Sequence, residues 1–499
     1  MRATVHKVLG TETEFGIAVE GRRGRDPVAA SSLLVAAYAG PSRIQWSYDE
    51  ESPGRDARGL GPGVAEVDTG MLNTVLPNGA RLYVDHAHPE YSTPECFDPR
   101  EAALYDKSGE TVLARGAALA ALTAGERVLV HKNNTDGKGN SYGSHENYLM
   151  ARSVAFEEIA DHLLAFLVTR QVFTGAGKVG SENGRPPVSF QVSQRADFFE
   201  EEVGLETTIR RPIVNTRDEP HADPARYRRL HVIPGDANLS EEQILLKLGS
   251  TALLLAGVEQ GSVGRPLALA DPVESMWRIS HDPTLRRTVR LADGRTATAL
   301  DLQREYLARV SSAEVPEAAG AVYREVLALW ERALADLERD PLSTAGYLDW
   351  TAKLVLLEAY RARDRLPWDH PKLRLLDLQY HDVDPARSLY RRLVEAGRMR
   401  RLFTDAEIER AVTDPPTRTR AYFRGSCVAK YGGAVVSANW DSLVLDTGRT
   451  ALQRVPMMDP LRGGRESVAD LLDRCASAAD LVGALGGANG GTGTQASSP

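Results

Sequence analysis

Residues 10–16 read Gly-Thr-Glu-Thr-Glu-Phe-Gly, which sets two carboxylates two positions apart in a short apolar run. Side chains along a strand alternate between its faces, so Glu12 and Glu14 share one. Carboxylates on a common face repel unless a cation lies between them. Hard divalent ions such as Mg²⁺ take oxygen ligands of this kind, commonly with nucleotide phosphate completing the shell. A solvated edge strand would carry the same pair. What favours the cation is a second acidic run, residues 81–91 (Arg-Leu-Tyr-Val-Asp-His-Ala-His-Pro-Glu-Tyr). There Arg81, Tyr83 and Asp85 share a strand face, and Glu90 follows a turn at Pro89. Glu12, Glu90 and the Tyr83 hydroxyl could together hold Mg²⁺. Asp85 would stand beside them as a nucleophile or general base, or as a capping aspartate of the turn.

Two further segments add candidates. Residues 136–147 (Asp-Gly-Lys-Gly-Asn-Ser-Tyr-Gly-Ser-His-Glu-Asn) form a Gly-rich loop able to turn backbone N–H groups towards phosphate. His145 at its end could ligate a metal as neutral imidazole, or cap a helix. Further on, Arg229 and His231 share a face of another expected strand. The arginine fork suits phosphate and the imidazole could join His145, although a surface ion-pair network would use the same residues. The stretch Thr174-Gly-Ala-Gly-Lys-Val179 only hints at a P-loop. That motif needs glycine at position 172 and Ser or Thr at 179, and both are valine.

The elements that must position these groups are legible in outline. Residues 3–19 read as a strand broken at Gly10, residues 28–40 as a helix, and 47–70 as a long polar loop. Strands are expected at 81–85, 126–132, 187–194 and 228–234. Helices are expected at 101–122, from about Glu146 to Arg170, and through most of 240–410, with clear 3–4 spacing from Tyr323 to Leu337. Strands scattered among helices, with many turn residues between, predict an α+β class with an antiparallel sheet. The expected units are a catalytic domain over 1–420, a small C-terminal domain over 421–485 and a disordered tail over 486–499.

Bulk properties exclude several function classes. The chain has 499 residues, 42% hydrophobic and 26% charged, with a formal net charge of −8. That balance argues against a general nucleic-acid binder. No apolar run is long enough for a membrane span, and the N-terminus lacks an apolar signal region. Three widely spaced cysteines, Cys96, Cys427 and Cys475, rule against a disulfide framework and suit a reducing cytoplasm.

Taken together, the motifs resemble the Pup-processing branch of the glutamine-synthetase-like carboxylate–amine ligases. They are GTETEFG (10–16), NGARLYVDHAHPEYSTPE (78–95), KNNTDGKGNSYGSHENYLM (132–150), SQRADF (193–198) and NTRDEPHADPARYRRLHVI (215–233). The resemblance implies a curved antiparallel sheet forming a cradle, with ATP (or ADP plus phosphate) and Mg²⁺ as cofactors. It implies Glu12, Tyr83 and Glu90 as one set of Mg²⁺ ligands with Glu14 nearby, and His145 and His231 at a further metal position. Arg81, Thr93, Asn147 and Arg229 would contact the nucleotide, with Trp440 packing on it; without the family, Trp440 reads as a core anchor. Asp85 matches the essential aspartate, and Arg217 would bind phosphate or the substrate carboxylate.

Within the branch, two features resemble the deamidase/depupylase rather than the ligase. The run Asp85-His-Ala-His-Pro-Glu90 is one residue shorter than its ligase counterpart, and the 47–70 insertion is absent from the ligase. The implied activity is hydrolysis of the C-terminal glutamine amide of the protein tag Pup, and of the isopeptide bond to lysine in pupylated proteins. The alternative is a Pup–protein ligase. Nucleic acid and membrane are not expected partners.

Overall fold

The computed structural model describes residues 4–21, 26–40, 44–48, 51–52, 54–59 and 72–489. Six strands form its main sheet: β1 (Leu9–Glu14), β2 (Asn73–Val75), β3 (Arg81–Asp85), β4 (His88–Ser92), β5 (Ser144–Ala151) and β6 (Tyr227–Val232). Their spatial order is β6-β5-β1-β4-β3-β2, and every neighbouring pair is antiparallel. The α+β antiparallel expectation therefore holds.

The helices associated with it are α1 (Pro27–Ala39), α2 (Pro99–Ala124), α3 (Phe156–Thr174), α4 (Glu241–Gln260) and α5 (Glu317–Arg339). Three of them (α1, α2 and α4) pack on the sheet and two (α3 and α5) pack in turn on α4. Local chemistry sets their ends. Asp98 caps α2 by accepting from the N–H groups of Arg100 and Glu101, Pro99 opens it, and Gly125 closes it in a left-handed conformation. The stripe read over 323–337 is the buried face of α5, with Tyr323, Val326, Leu329, Trp330, Leu334 and Leu337 inside. The largest core joins α2, α3, α4 and α5 to the inward residues of β5 and β6, among them Tyr148, Met150, Leu230 and Val232.

Several expectations are corrected. Residues 144–151 form a central strand, and the helix begins only at Phe156. Helix-forming residues there yield to pairing on both sides, with β1 and β6. The first strand breaks at Phe15, not at Gly10. Gly10 stays in β1, paired with Asn147, and an added Cβ there would lie 2.8 Å from Thr93 Oγ1. Of 187–194, only Phe190–Gln191 pairs as strand. The end of the chain carries two helices, Arg465–Arg474 and Ala478–Asn489, so 486–489 are helical; 490–499 lie outside the described residues.

A second sheet contains β7 (Val435–Ala438), β8 (Ser442–Leu445) and β9 (Gln453–Pro456), packed by helix α6 (Ala421–Tyr431). The strand Gln45–Trp46 joins it parallel to β7. The C-terminal unit thus takes a strand from near the N-terminus, and Ile44, Trp46 and Val75 share its core. Of the 47–70 loop, the described part docks on 215–219. Ala57 N–H donates to Thr216 O at 2.8 Å and Thr216 Oγ1 donates to Asp56 at 2.9 Å.

Candidate active site

The sheet face away from the helices carries the chemistry, and register assembles it. Glu12 is paired with Ser92 on β4 and with His145 on β5. Glu14 is paired with Glu90, and Glu90 in turn with Tyr83 on β3. Alternation then brings Arg81, Asp85, Asn147, Arg229 and His231 to the same face. Glu146 points the opposite way, into the core, where Arg170 grips both its oxygens at 2.6 and 2.9 Å.

Two clusters of metal-ligating side chains result. Glu12, His145 and His231 bring ligand atoms within 4.8 Å of one another, and so do Glu14, Asp85 and Glu90. Glu12 thus stands with the histidines and Glu90 with Glu14 and Asp85, while Tyr83 lies close to both Glu90 and Glu12. Tyr83 stands opposite Glu90, its phenol pushed well above the usual range by burial and then by Glu90 and Glu12, so it stays neutral.

In the first cluster Glu12 divides its oxygens. Asn147 Nδ2 donates to Oε1 at 2.9 Å and Arg229 lies 3.4 Å from it, while Oε2 faces His145 at 3.7 Å and His231 at 4.0 Å. Burial alone would raise the Glu12 carboxyl, but His145, His231 and Arg229 hold it well below the ordinary range. Burial keeps His231 neutral, and its Nε2 is buried without a hydrogen-bond partner. An orphaned imidazole nitrogen beside an ionised carboxylate fits a metal ligand set.

The second cluster is all oxygen, the donor set a hard cation such as Mg²⁺ takes. Burial and then Asp85 raise the Glu14 carboxyl, and burial, Asp85, Glu14 and Glu12 raise Glu90 well above its usual value. Asp85 moves the other way. Burial would raise it, but His86, His145 and Arg217 together hold it below the ordinary range. His86 Nδ1 lies 3.1 Å from Asp85 Oδ1, and that contact lifts the imidazole to about 9. Gly143 leaves the space between the clusters open. Its N–H donates to Glu14 Oε1 at 2.9 Å, and a Cβ there would come within 2.3 Å of His145 Nε2.

A cleft opens beside Glu12, and Thr93, Asn147, Arg229 and Trp440 line it with Glu12. Arg81 lies apart from it, its guanidinium 4.1 Å from the Trp46 ring and 4.0 Å from Tyr83. Trp46 meets Trp440 edge-on at 5.0 Å, which ties that cage to the C-terminal unit. Arg217 brings positive charge towards Asp85, and its buried Nε has no partner.

Sequence reasoning missed the clamp that sets Trp440 on the cleft. Glu95, on the stretch after β4, is held by Arg420 at 2.6 Å and by Arg424, the first just before α6 and the second on it. Arg424 also donates to the Trp440 carbonyl at 3.1 Å. Burial would raise Glu95, but the two guanidiniums bring it down to about 2. Sequence also assigned nothing to His221, which lines the cleft in a left-handed conformation and is lowered by burial to about 4.

Comparison with known proteins agrees over nearly the whole chain. The Pup-ligase protein family matches residues 7–444. A depupylase of Acidothermus cellulolyticus is 53% identical over 502 residues, covering 97% of this chain and 100% of that one. A Pup–protein ligase of a Nocardioides species is 41% identical, covering 94% and 99%. A crystal structure of the complex between Pup and its ligase PafA superposes with a TM-score of 0.80 at 32% identity, covering 99% of both chains. The ligase PafA in complex with ADP gives 0.73 at 37% identity, covering 80% of this chain and 89% of that one.

Proposed function

The chain belongs to the Pup-ligase protein family, and on that premise we propose that it works as an amide hydrolase on Pup and pupylated proteins. It converts the C-terminal glutamine of Pup to glutamate with release of ammonia. It also cleaves the chemically similar isopeptide bond between that side chain and a target lysine. The observation that carries this reading is Asp85, ionised and grouped with Glu14 and Glu90, in a chain 53% identical end to end to a depupylase.

The cleft beside Glu12 takes ATP, or ADP plus phosphate. Thr93, Asn147, Arg229 and Trp440 are its contacts, and Arg81 acts from behind through Trp46. Mg²⁺ would be held by Glu14 and Glu90 with Tyr83 beside them, and a further ion by Glu12, His145 and His231. When bound, Mg²⁺ and nucleotide phosphate polarise the amide carbonyl and take up the charge that develops on its oxygen. Asp85 acts on the carbonyl carbon, directly or through a water it deprotonates. Arg217 neutralises a carboxylate or phosphate beside it.

Amide hydrolysis in water runs downhill, so the nucleotide serves as a resident cofactor rather than a consumed substrate. Three buried free cysteines support a reducing cytoplasm as the compartment. Among the described residues no helix is long and apolar enough to cross a membrane.

Incubation with ATP, Mg²⁺ and Pup ending in glutamine tests the assignment. Ammonia release with little ADP is the expected result. Conjugates formed from Pup ending in glutamate, with matching ADP, would make the chain a ligase instead.

A further inference from the structure

Asp85 and His88 are register partners, so β3 and β4 are joined by two residues only, His86 and Ala87. His86 has a φ of +50°. Glycine or asparagine usually takes the left-handed position of so tight a hairpin, because a larger side chain is strained there. Packing does not call for an imidazole, since the His86 side chain is 66% exposed. The turn is pinned without it, because Ser31 Oγ donates to the Ala87 carbonyl at 2.8 Å.

The contact the ring does make is with Asp85, Nδ1 to Oδ1 at 3.1 Å. On its other side Asp85 faces the carboxylates of Glu14 and Glu90, which repel it. We propose that His86 is a positioning residue for hydrolysis: its Nδ1 ties Asp85 Oδ1 and holds Oδ2 towards the amide carbon. The strained turn is kept for that contact. This inference rests on the amide-hydrolase reading of the same site.

Two variants separate the side chain from the turn. Glycine and asparagine both suit φ near +50°, so His86→Gly and His86→Asn should each melt at or above the wild-type Tm. Asparagine alone returns an N–H donor at the same number of bonds from Cα as Nδ1. Ammonia release from Pup ending in glutamine is measured for the full chain with ATP and Mg²⁺. His86→Gly should lose about tenfold in kcat, with KM for Pup unchanged, and His86→Asn should recover most of that loss. A glycine variant with near wild-type kcat, equal losses in both variants, or a change confined to KM would overturn the role of His86. A wild type that releases no ammonia would refute the amide-hydrolase reading, and this inference with it.

Discussion

Glu14 and Glu90 face each other directly across the β1–β4 pair, and among the described residues neither has a basic side chain within ion-pairing distance. Like charges in such register destabilise a sheet unless a cation or a proton intervenes. The pair is therefore strained wherever neither a proton nor a cation lies between the two carboxylates.

The pH dependence of stability follows from that pair. Glu90 is held well above the ordinary carboxylate range, so the folded chain keeps a proton that the unfolded chain has released. Stability from this source is present at low pH and is lost as pH rises from the ordinary glutamate value towards the folded one. Relative to Glu90→Gln, the metal-free wild type should lose a few degrees of Tm over that rise. Mg²⁺ should restore the wild type and not the variant. Thermal melts at several pH values, with and without Mg²⁺, check this.

Asp85→Asn keeps the shape of the site and removes its ionised oxygen. Ammonia release should fall about a thousandfold or more. Nucleotide affinity should stay within about twofold, because Asp85 lies outside the residues lining the cleft beside Glu12. Paired turnover and nucleotide titrations decide it, and retained turnover would remove Asp85 from its role.

Gly143→Ala separates site from fold. The new Cβ would crowd His145 Nε2 at 2.3 Å and Glu14 Oε1 at 2.8 Å, both ends of side chains that can swing aside. Stability should change by no more than about 1 kcal/mol. Activity should fall about a hundredfold, because the two clusters lose their relative geometry. Comparable Tm with wild-type turnover would contradict the assigned geometry.

Glu95→Gln should loosen the C-terminal unit from the cleft beside Glu12. It leaves the buried Arg420 and Arg424 without their carboxylate, at a cost of about 3–5 kcal/mol. Nucleotide Kd should rise about tenfold or more as Trp440 loses its placement. Because Glu95 titrates at about 2 in the folded chain, its contribution is present above the ordinary carboxylate range. It is lost as pH falls from that range towards about 2. Nucleotide titration and acid melts of wild type and variant test both statements.

What the sequence determined by itself was local. Alternation along a strand put Glu12 with Glu14, Arg81 with Tyr83 and Asp85, and Arg229 with His231 before any fold was known. The stripe of α5 was legible for the same reason, since its period lies within a few residues. Tertiary structure alone decided which strands meet and in what register. It set Glu14 against Glu90 and Glu12 against His145, pairings that no spacing within one motif carries. It also turned 144–151 into strand, because pairing on both sides outweighs the helix-forming tendency of its residues. The Glu95 clamp joins residues more than 300 positions apart, a distance over which no local spacing carries information.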